Sequence, residues 1–199
     1  RKNFHSYNVI FTNYENLFNN LCIKYGTDKG FKIFRKTKFL GKNSQNIDYC
    51  YPHIYSKFYN DYFISFRKKI KFVFECGIGD KTSLRKFSPG ASLKVWKDFF
   101  PNAKIYGADI NKNLLFSEKR IRTYFVDQNN KSSIKKMWKK INKKFDVIID
   151  DGLHNFNSNI SFFKMSFKYL KKGGVYFIED VQLKNMNKYK EYFSNKKIL

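Results

Sequence analysis

Two pairs of acids stand at the ends of short apolar runs. Phe145–Asp150 continues into Asp151-Gly152-Leu153-His154, and Val175–Ile178 continues into Glu179-Asp180. A short apolar run closed by acid reads as a buried strand whose end reaches a ligand-binding edge. If the two strands are neighbours, about 5 Å apart, three or four carboxylates meet there. Such a cluster repels itself unless a cation joins it. A hard cation such as Mg²⁺ takes oxygen ligands, and Asp151, Glu179 and Asp180 are the candidates. The competing reading is that these acids cap following helices or pair with nearby lysines. A histidine ordinarily changes charge near neutrality, so His154 suits a general base acting on a hydroxyl beside the cation. With Asp151 it forms the candidate catalytic pair. The plain alternative is a loop histidine facing solvent.

Three further strand ends carry polar residues. Lys71–Cys76 runs into Glu75-Cys76-Gly77-Ile78-Gly79-Asp80. Glycines after a strand let a ligand approach the backbone closely. The third glycine of a dinucleotide fingerprint is missing, which disfavours a pyrophosphate site. Ala103–Ala108 ends at Asp109, an acid placed to accept both hydroxyls of a ribose. Ile121–Val126 is followed by Asp127-Gln128, suited to an adenine edge. Each alone reads equally well as a loop residue. Taken in order they describe a nucleoside site without a diphosphate.

The elements that must position these residues alternate. Helices are expected over Leu93–Phe100, Ser132–Ile141 and Asn155–Leu170, the last closed by Lys171-Lys172-Gly173-Gly174. Strands alternating with helices imply an α/β fold with a doubly wound, mostly parallel, Rossmann-like sheet over residues 71–199. Residues 1–70 read as a helical N-terminal extension. A helix is expected over Tyr14–Tyr25, stopped at Gly26, with Leu17, Phe18, Leu21 and Cys22 on one face. A basic, poorly periodic segment follows through Asn46. A second helix spans His53–Lys69, with Tyr55, Phe58, Tyr59, Tyr62, Phe63 and Phe66 packed into the core.

Composition bounds the function. The 199 residues suit one domain with an extension. The net charge of +24 suggests a nucleic-acid partner. However, 92 residues are Lys, Asn, Phe or Tyr, all with A/T-rich codons, and only six of the 40 basic residues are Arg. An A/T-rich genome is enough to supply much of the lysine, so no nucleic acid is expected. Three cysteines at wide spacing form neither a disulfide framework nor a zinc site and suit a reducing, cytoplasmic setting. No apolar run is long enough to span a membrane, and no secretory signal is recognisable. The chain lacks Met at position 1 and reads as trimmed. His5 and His53 carry no assigned chemistry.

The residues together resemble a family. Phe74–Val181 is similar to class I S-adenosylmethionine-dependent methyltransferases, and more narrowly to the metal-dependent macrolide and rhamnosyl O-methyltransferases. The matching pieces are Tyr25-Gly26-Thr27-Asp28-Lys29, the Glu75–Gly79 turn, Ser88-Pro89-Gly90-Ala91-Ser92-Leu93 before Trp96, and Phe100-Pro101-Asn102-Ala103. Then come Tyr106–Ile110, Asp127-Gln128, Ile149–His154 and Ile178-Glu179-Asp180. The resemblance implies that Glu75, Gly77 and Gly79 line the methionine part of S-adenosylmethionine, Asp109 holds the ribose, and Asp127 and Gln128 the adenine. Thr27 and Lys29 approach the cofactor from the N-terminal segment, and Ser92 and Asp150 complete its contacts. Asp151, Glu179 and Asp180 bind Mg²⁺, and His154 is the base. Tyr49-Cys50-Tyr51 stands where the family often has His-x-Tyr. The family adds two more strands, so the chain is expected to be truncated at its C-terminus or to complete its sheet differently.

The activity expected is Mg²⁺-dependent methylation of a sugar hydroxyl on a nucleotide sugar, a surface polysaccharide or a glycosylated natural product. The partners are a small-molecule or glycan substrate, with room for a homo-oligomer. The alternatives are a non-sugar acceptor (catechol, amine or phosphate-bearing) and an RNA-binding protein with a methyltransferase-like fold.

Overall fold

A computed structural model describes residues 15–30, 33–40, 43–50, 55–79 and 90–194, with the backbone alone for 33–40 and 43–50. β1 (Ile33–Leu40) and β2 (Asn43–Cys50) pair as an antiparallel hairpin, with Leu40 opposite Asn43. The poorly periodic basic segment is therefore β structure. Its lysines and asparagines hide the alternation on which a strand reading depends.

The remaining strands are β3 (Phe72–Cys76), β4 (Lys104–Asp109), β5 (Ser117–Glu118), β6 (Ile121–Phe125), β7 (Phe145–Asp150) and β8 (Leu170–Ile178). They form one sheet in the order β5-β6-β4-β3-β7-β8. All pairings are parallel except that of two-residue β5 with β6. The chain enters at β3, moves outward through β4 and β6, then crosses back to β7 and β8. Strand order therefore reverses beside β3, where open α/β sheets hold ligands at their carboxyl edge.

Both faces of the sheet are covered, so its strands are apolar on both sides. Successive residues of a strand point to opposite faces, which splits the core in two. Val73, Ile105, Val147 and Ile149 face α1 (Leu17–Tyr25), α2 (Ser56–Phe63) and α3 (Ala91–Phe99). Phe74, Tyr106, Phe145 and Ile148 face α4 (Lys131–Ile141) and α5 (Phe156–Ser166). α6 (Met186–Ser194) follows β8 and lays Tyr189 against Phe156 of α5. The asparagine-rich composition is used at helix starts. Asn16, Asn130 and Asn155 cap α1, α4 and α5 by accepting from backbone N–H groups that the helix leaves unbonded. Gly26 ends α1 in the left-handed conformation, as expected. Among the described residues no helix is long and apolar enough to cross a membrane.

Two helix boundaries differ from expectation. The second helix is α-helical only over Ser56–Phe63 and closes in a 3₁₀ turn at Arg67–Lys69, and His53 lies outside the described residues. α5 ends at Ser166, followed by a 3₁₀ turn at Phe167–Tyr169. Lys171–Gly174 is not a helix stop but an outward loop inside β8. Phe145 pairs with Leu170 and Val147 with Val175, so these four residues oppose only Asp146. Lys171 Nζ bonds Asp146 Oδ1 at 2.8 Å, and Gly173 takes a φ of +75°.

Phe18 joins the N-terminal helices to the sheet. It is fully buried, with ring centroids 5.5 Å from Tyr59, 4.9 Å from Trp96 and 5.0 Å from Phe99. Phe18→Ala is expected to destabilise the fold by about 3–5 kcal/mol in urea unfolding, as for other large aromatic truncations in a core. A loss below about 1 kcal/mol would mean that α1 contributes little to the core.

Candidate active site

The site is built where β3, β7 and β8 end. Alternation along β3 puts Glu75 on the α3 side, fully buried. Ser92 and Trp96, one turn apart on α3, both reach it. Ser92 Oγ donates to Oε2 at 2.6 Å and Trp96 Nε1 to Oε1 at 3.1 Å. Burial pushes the Glu75 carboxyl above its usual range, and Lys29 opposes the push. Past Glu75 the chain must turn in a confined space. Gly77 has a φ of +86°, and a Cβ there would lie 2.0 Å from the Asp151 backbone oxygen. The ends of β3 and β7 touch through the Asp151 N–H, which donates to the Cys76 carbonyl at 2.8 Å. Gly79 also has positive φ. Asp80, Ser88 and Pro89 lie outside the described residues.

The nucleoside candidates sit on adjoining strand ends. Asp109 is buried and accepts from the Ile78 N–H at 3.0 Å and the Asn111 N–H at 2.8 Å. Asp127 Oδ1 accepts from the Asn129 N–H at 2.9 Å. Gln128 is buried, donates to Asp150 Oδ1 and accepts from the Leu153 N–H at 2.9 Å. Asn159 of α5 donates to Asp150 Oδ2 at 2.9 Å. Burial raises the Asp150 carboxyl to about 6, with the Asn159 and Gln128 bonds holding it back. Gln128 and Asp150 thus fix each other and the loop that carries His154. Thr27 closes α1, its N–H donating to the Cys22 carbonyl at 3.1 Å.

The acids converge as the paired strand ends require. β7 and β8 are adjacent and in register, with Asp150 beside Ile178. One carboxylate or imidazole atom from each of Asp151, His154 and Asp180 lies within 4.8 Å of the others. His154 Nε2 is 3.9 Å from Asp180 Oδ2. His154 and Asp180 have φ of +50° and +52°, conformations that non-glycine residues rarely adopt. Arg120 and Asn142 share this conformation elsewhere in the chain.

Glu179 is turned elsewhere. It is buried and accepts from Lys29 Nζ and the Tyr59 hydroxyl. Lys29 Nζ also donates to Asp151 Oδ2 at 2.6 Å and lies 3.5 Å from Glu75 Oε1. Burial pushes the Asp151 carboxyl well up, Lys29 works against that, and the charges of Glu179 and Glu75 reinforce it. The Tyr55 hydroxyl donates to Asp180 Oδ1 at 2.6 Å and accepts from the Asp180 N–H at 3.0 Å. Tyr55 and Tyr59 were legible in the sequence only as part of an aromatic core stripe. The available signal was their spacing of four among phenylalanines, which sets two hydroxyls on one helical face.

A parallel sheet that reverses at β3, with acids at the ends of β3, β4, β7 and β8, is what the resemblance to methyltransferases implies. Comparison with solved structures agrees. The chain matches the MycE methyltransferase of the mycinamycin biosynthetic pathway, in complex with Mg and SAH, with a TM-score of 0.62 and 29% identity over 83% of this chain and 37% of that one. The same enzyme with Mg, SAH and mycinamycin VI gives a TM-score of 0.63 over 83% of this chain and 39% of that one. In sequence the chain is a homologue of sugar O-methyltransferases from antibiotic pathways. It is 32% identical over 130 residues to the 8-demethyl-8-alpha-L-rhamnosyl tetracenomycin-C 2'-O-methyltransferase of Streptomyces olivaceus, covering 65% of this chain and 34% of the relative. It is 35% identical over 130 residues to the mycinamicin VI 2''-O-methyltransferase of Micromonospora griseorubida, covering 65% and 32%. The chain thus spans about a third of the length of the curated relatives it matches. No family model matches it.

Gly77→Ala tests the close approach of β3 and β7. Backbone strain alone is expected to cost about 1–3 kcal/mol, and the contact with the Asp151 carbonyl adds to it. A urea midpoint equal to that of the unaltered protein would contradict the contact.

Proposed function

We propose that this chain is the catalytic part of a Mg²⁺-dependent, S-adenosylmethionine-dependent O-methyltransferase that methylates a sugar hydroxyl. The observation carrying this reading is the approach of Asp151, His154 and Asp180 to within 4.8 Å, beside buried Glu75 and Asp109. The donor set fits a hard divalent cation. Carboxylate oxygens predominate, and Glu75, Asp151 and Glu179 outnumber Lys29, the ammonium that all three share. Asp151 and Asp180 would hold the cation, with Glu179 within one residue of joining them. Asp109 fits a ribose because each carboxylate oxygen retains a second lone pair. When bound, Mg²⁺ makes a sugar hydroxyl more acidic and S-adenosylmethionine supplies the methyl group.

The residues of the chain do the rest. His154 takes the hydroxyl proton on its imidazole. Its left-handed backbone and the Gln128–Leu153 bond fix the direction from which it does so. Tyr55 orients Asp180, and Glu75, Asp109 and Gln128 set the cofactor side. Alignment of the two reactants supplies most of the rate. Thr27, Gly77, Gly79, Ser92, Asp127 and Asp150 belong to the cofactor side in this reading. The N-terminal segment covers the site through Lys29, Tyr55 and Tyr59. The relatives' names, with their rhamnosyl and mycinamicin acceptors, favour a glycosylated acceptor. A cytoplasmic setting and a polysaccharide pathway belong to the same reading and rest on the cysteine usage and composition.

Asp109→Ala is expected to weaken S-adenosylmethionine binding by about 1–3 kcal/mol in calorimetry. Binding of NAD in place of S-adenosylmethionine would overturn the cofactor assignment. Base and cation ligand are separated by a paired measurement of Mg²⁺ binding and kcat on a rhamnosylated acceptor. His154→Ala should lower kcat by about 10²–10⁴ and flatten its neutral-pH limb, with Mg²⁺ affinity changed only a few-fold. Asp151→Ala should lose both. A His154→Ala variant with the original kcat and pH profile would remove the histidine from the mechanism.

A further inference from the structure

Lys29 reaches the acid cluster from the far end of the sequence. It follows the Gly26 turn that ends α1, and its side chain is only 3% exposed. Its carbonyl accepts from the Tyr55 N–H at 3.1 Å, which ties the turn to the start of α2. An ammonium has three donors, and three carboxylates surround this one. Asp151 Oδ2 lies at 2.6 Å, Glu75 Oε1 at 3.5 Å, and Glu179 accepts directly. Tyr59 donates to the second oxygen of Glu179. The charges do not cancel, since three carboxylates share one positive group.

Two of those carboxylates, Asp151 and Glu179, are also groups that a divalent cation at this edge would draw on. An ammonium and a divalent cation beside the same oxygens repel each other, strongly so in a buried setting. Asp180, by contrast, is held by Tyr55. Glu75 and Glu179 are thus directed at Lys29, Asp180 at Tyr55 and His154, and Asp151 stands between the two groups.

We propose that Lys29 is a positioning residue that competes with the divalent cation for Asp151 and Glu179. Its tethered ammonium offsets part of the cluster's charge and keeps Glu179 away from the cation, so it sets how weakly the cation is held. Full engagement of Glu179 requires Lys29 to withdraw. Cation binding is thereby linked to movement of the turn after α1 and, through Tyr55, to the start of α2. This rests on the cation-dependent reading above. A lysine that only balances buried acids would support the fold, and its removal would not improve cation binding.

The test compares Mg²⁺ binding by calorimetry, and Mn²⁺ binding by paramagnetic resonance, for the unaltered protein, Lys29→Met and Lys29→Arg. Lys29→Met should bind at least tenfold more tightly. Its melting temperature should be lower without the ion and rise further on adding it. Lys29→Arg keeps the charge and should retain the weaker affinity. Equal or weaker binding by Lys29→Met overturns the competition while leaving a cation-dependent enzyme intact. No divalent-ion binding by any of the three overturns both the competition and the cation-dependent reading. Should Lys29→Met not fold, amine labelling of the unaltered protein, read at Lys29 by mass spectrometry, decides the matter. Saturating Mg²⁺ should speed labelling severalfold, and an unchanged or slower rate overturns the proposal.

Discussion

The structure depends on how negative charge is buried at one edge of a parallel sheet. Glu75, Asp151 and Glu179 end three adjacent strands, and two of the three are almost fully buried. Carboxylates removed from water this way are tolerated only when paired and hydrogen-bonded. The partners come from outside the sheet. Ser92 and Trp96 of α3, Lys29 from the turn after α1 and Tyr59 of α2 all converge there. The same helices fill the core with Phe18, Phe63 and Phe99. Apolar packing and charge compensation thus act on one set of elements. The N-terminal helices are as much part of the acid site as the strands that carry the acids.

The opposite face shows a second solution to the same difficulty. Asp150 points toward α5 and is satisfied by neutral amides, Gln128 and Asn159, with Tyr189 bonded in turn to Asn159. Neighbouring residues of one strand therefore sit in different electrostatic settings. Asp150 lies among dipoles and braces the loop before His154, whereas Asp151 lies among full charges. His154 and Asp180 both take left-handed backbone. Strain of this kind persists only where the surroundings over-determine it, and the paired bonds from Gln128 and Tyr55 supply that restraint.

Much of this was legible in the sequence because strand ends are marked by a change from apolar to acidic residues. The adjacency of β7 and β8, and with it the meeting of Asp151 and Asp180, followed from alternation of strands and helices. What stayed hidden depends on long-range contact. Lys29 meets Asp151 across 122 residues, and Tyr55 meets Asp180 across 125. No local pattern encodes such a pairing, so Tyr55 and Tyr59 read as core aromatics and the pull of Lys29 on Glu179 was invisible. The hairpin at residues 33–50 was obscured by its lysines and asparagines. The Lys171–Gly174 segment imitated a helix stop, since basic residues followed by glycine are what a helix end favours.

That segment also shapes what can pair beyond β8. Among the described residues β8 is the outermost strand on that side of the sheet, and its outer backbone donors and acceptors are where a further strand would add. The outward loop lifts Lys172 and Gly173 out of the ladder, and both are exposed. Val175–Ile178 is the stretch of β8 in regular register with β7. A strand joining there can therefore run beside β8 over four residues before it meets the bulge, which limits the registers open to it.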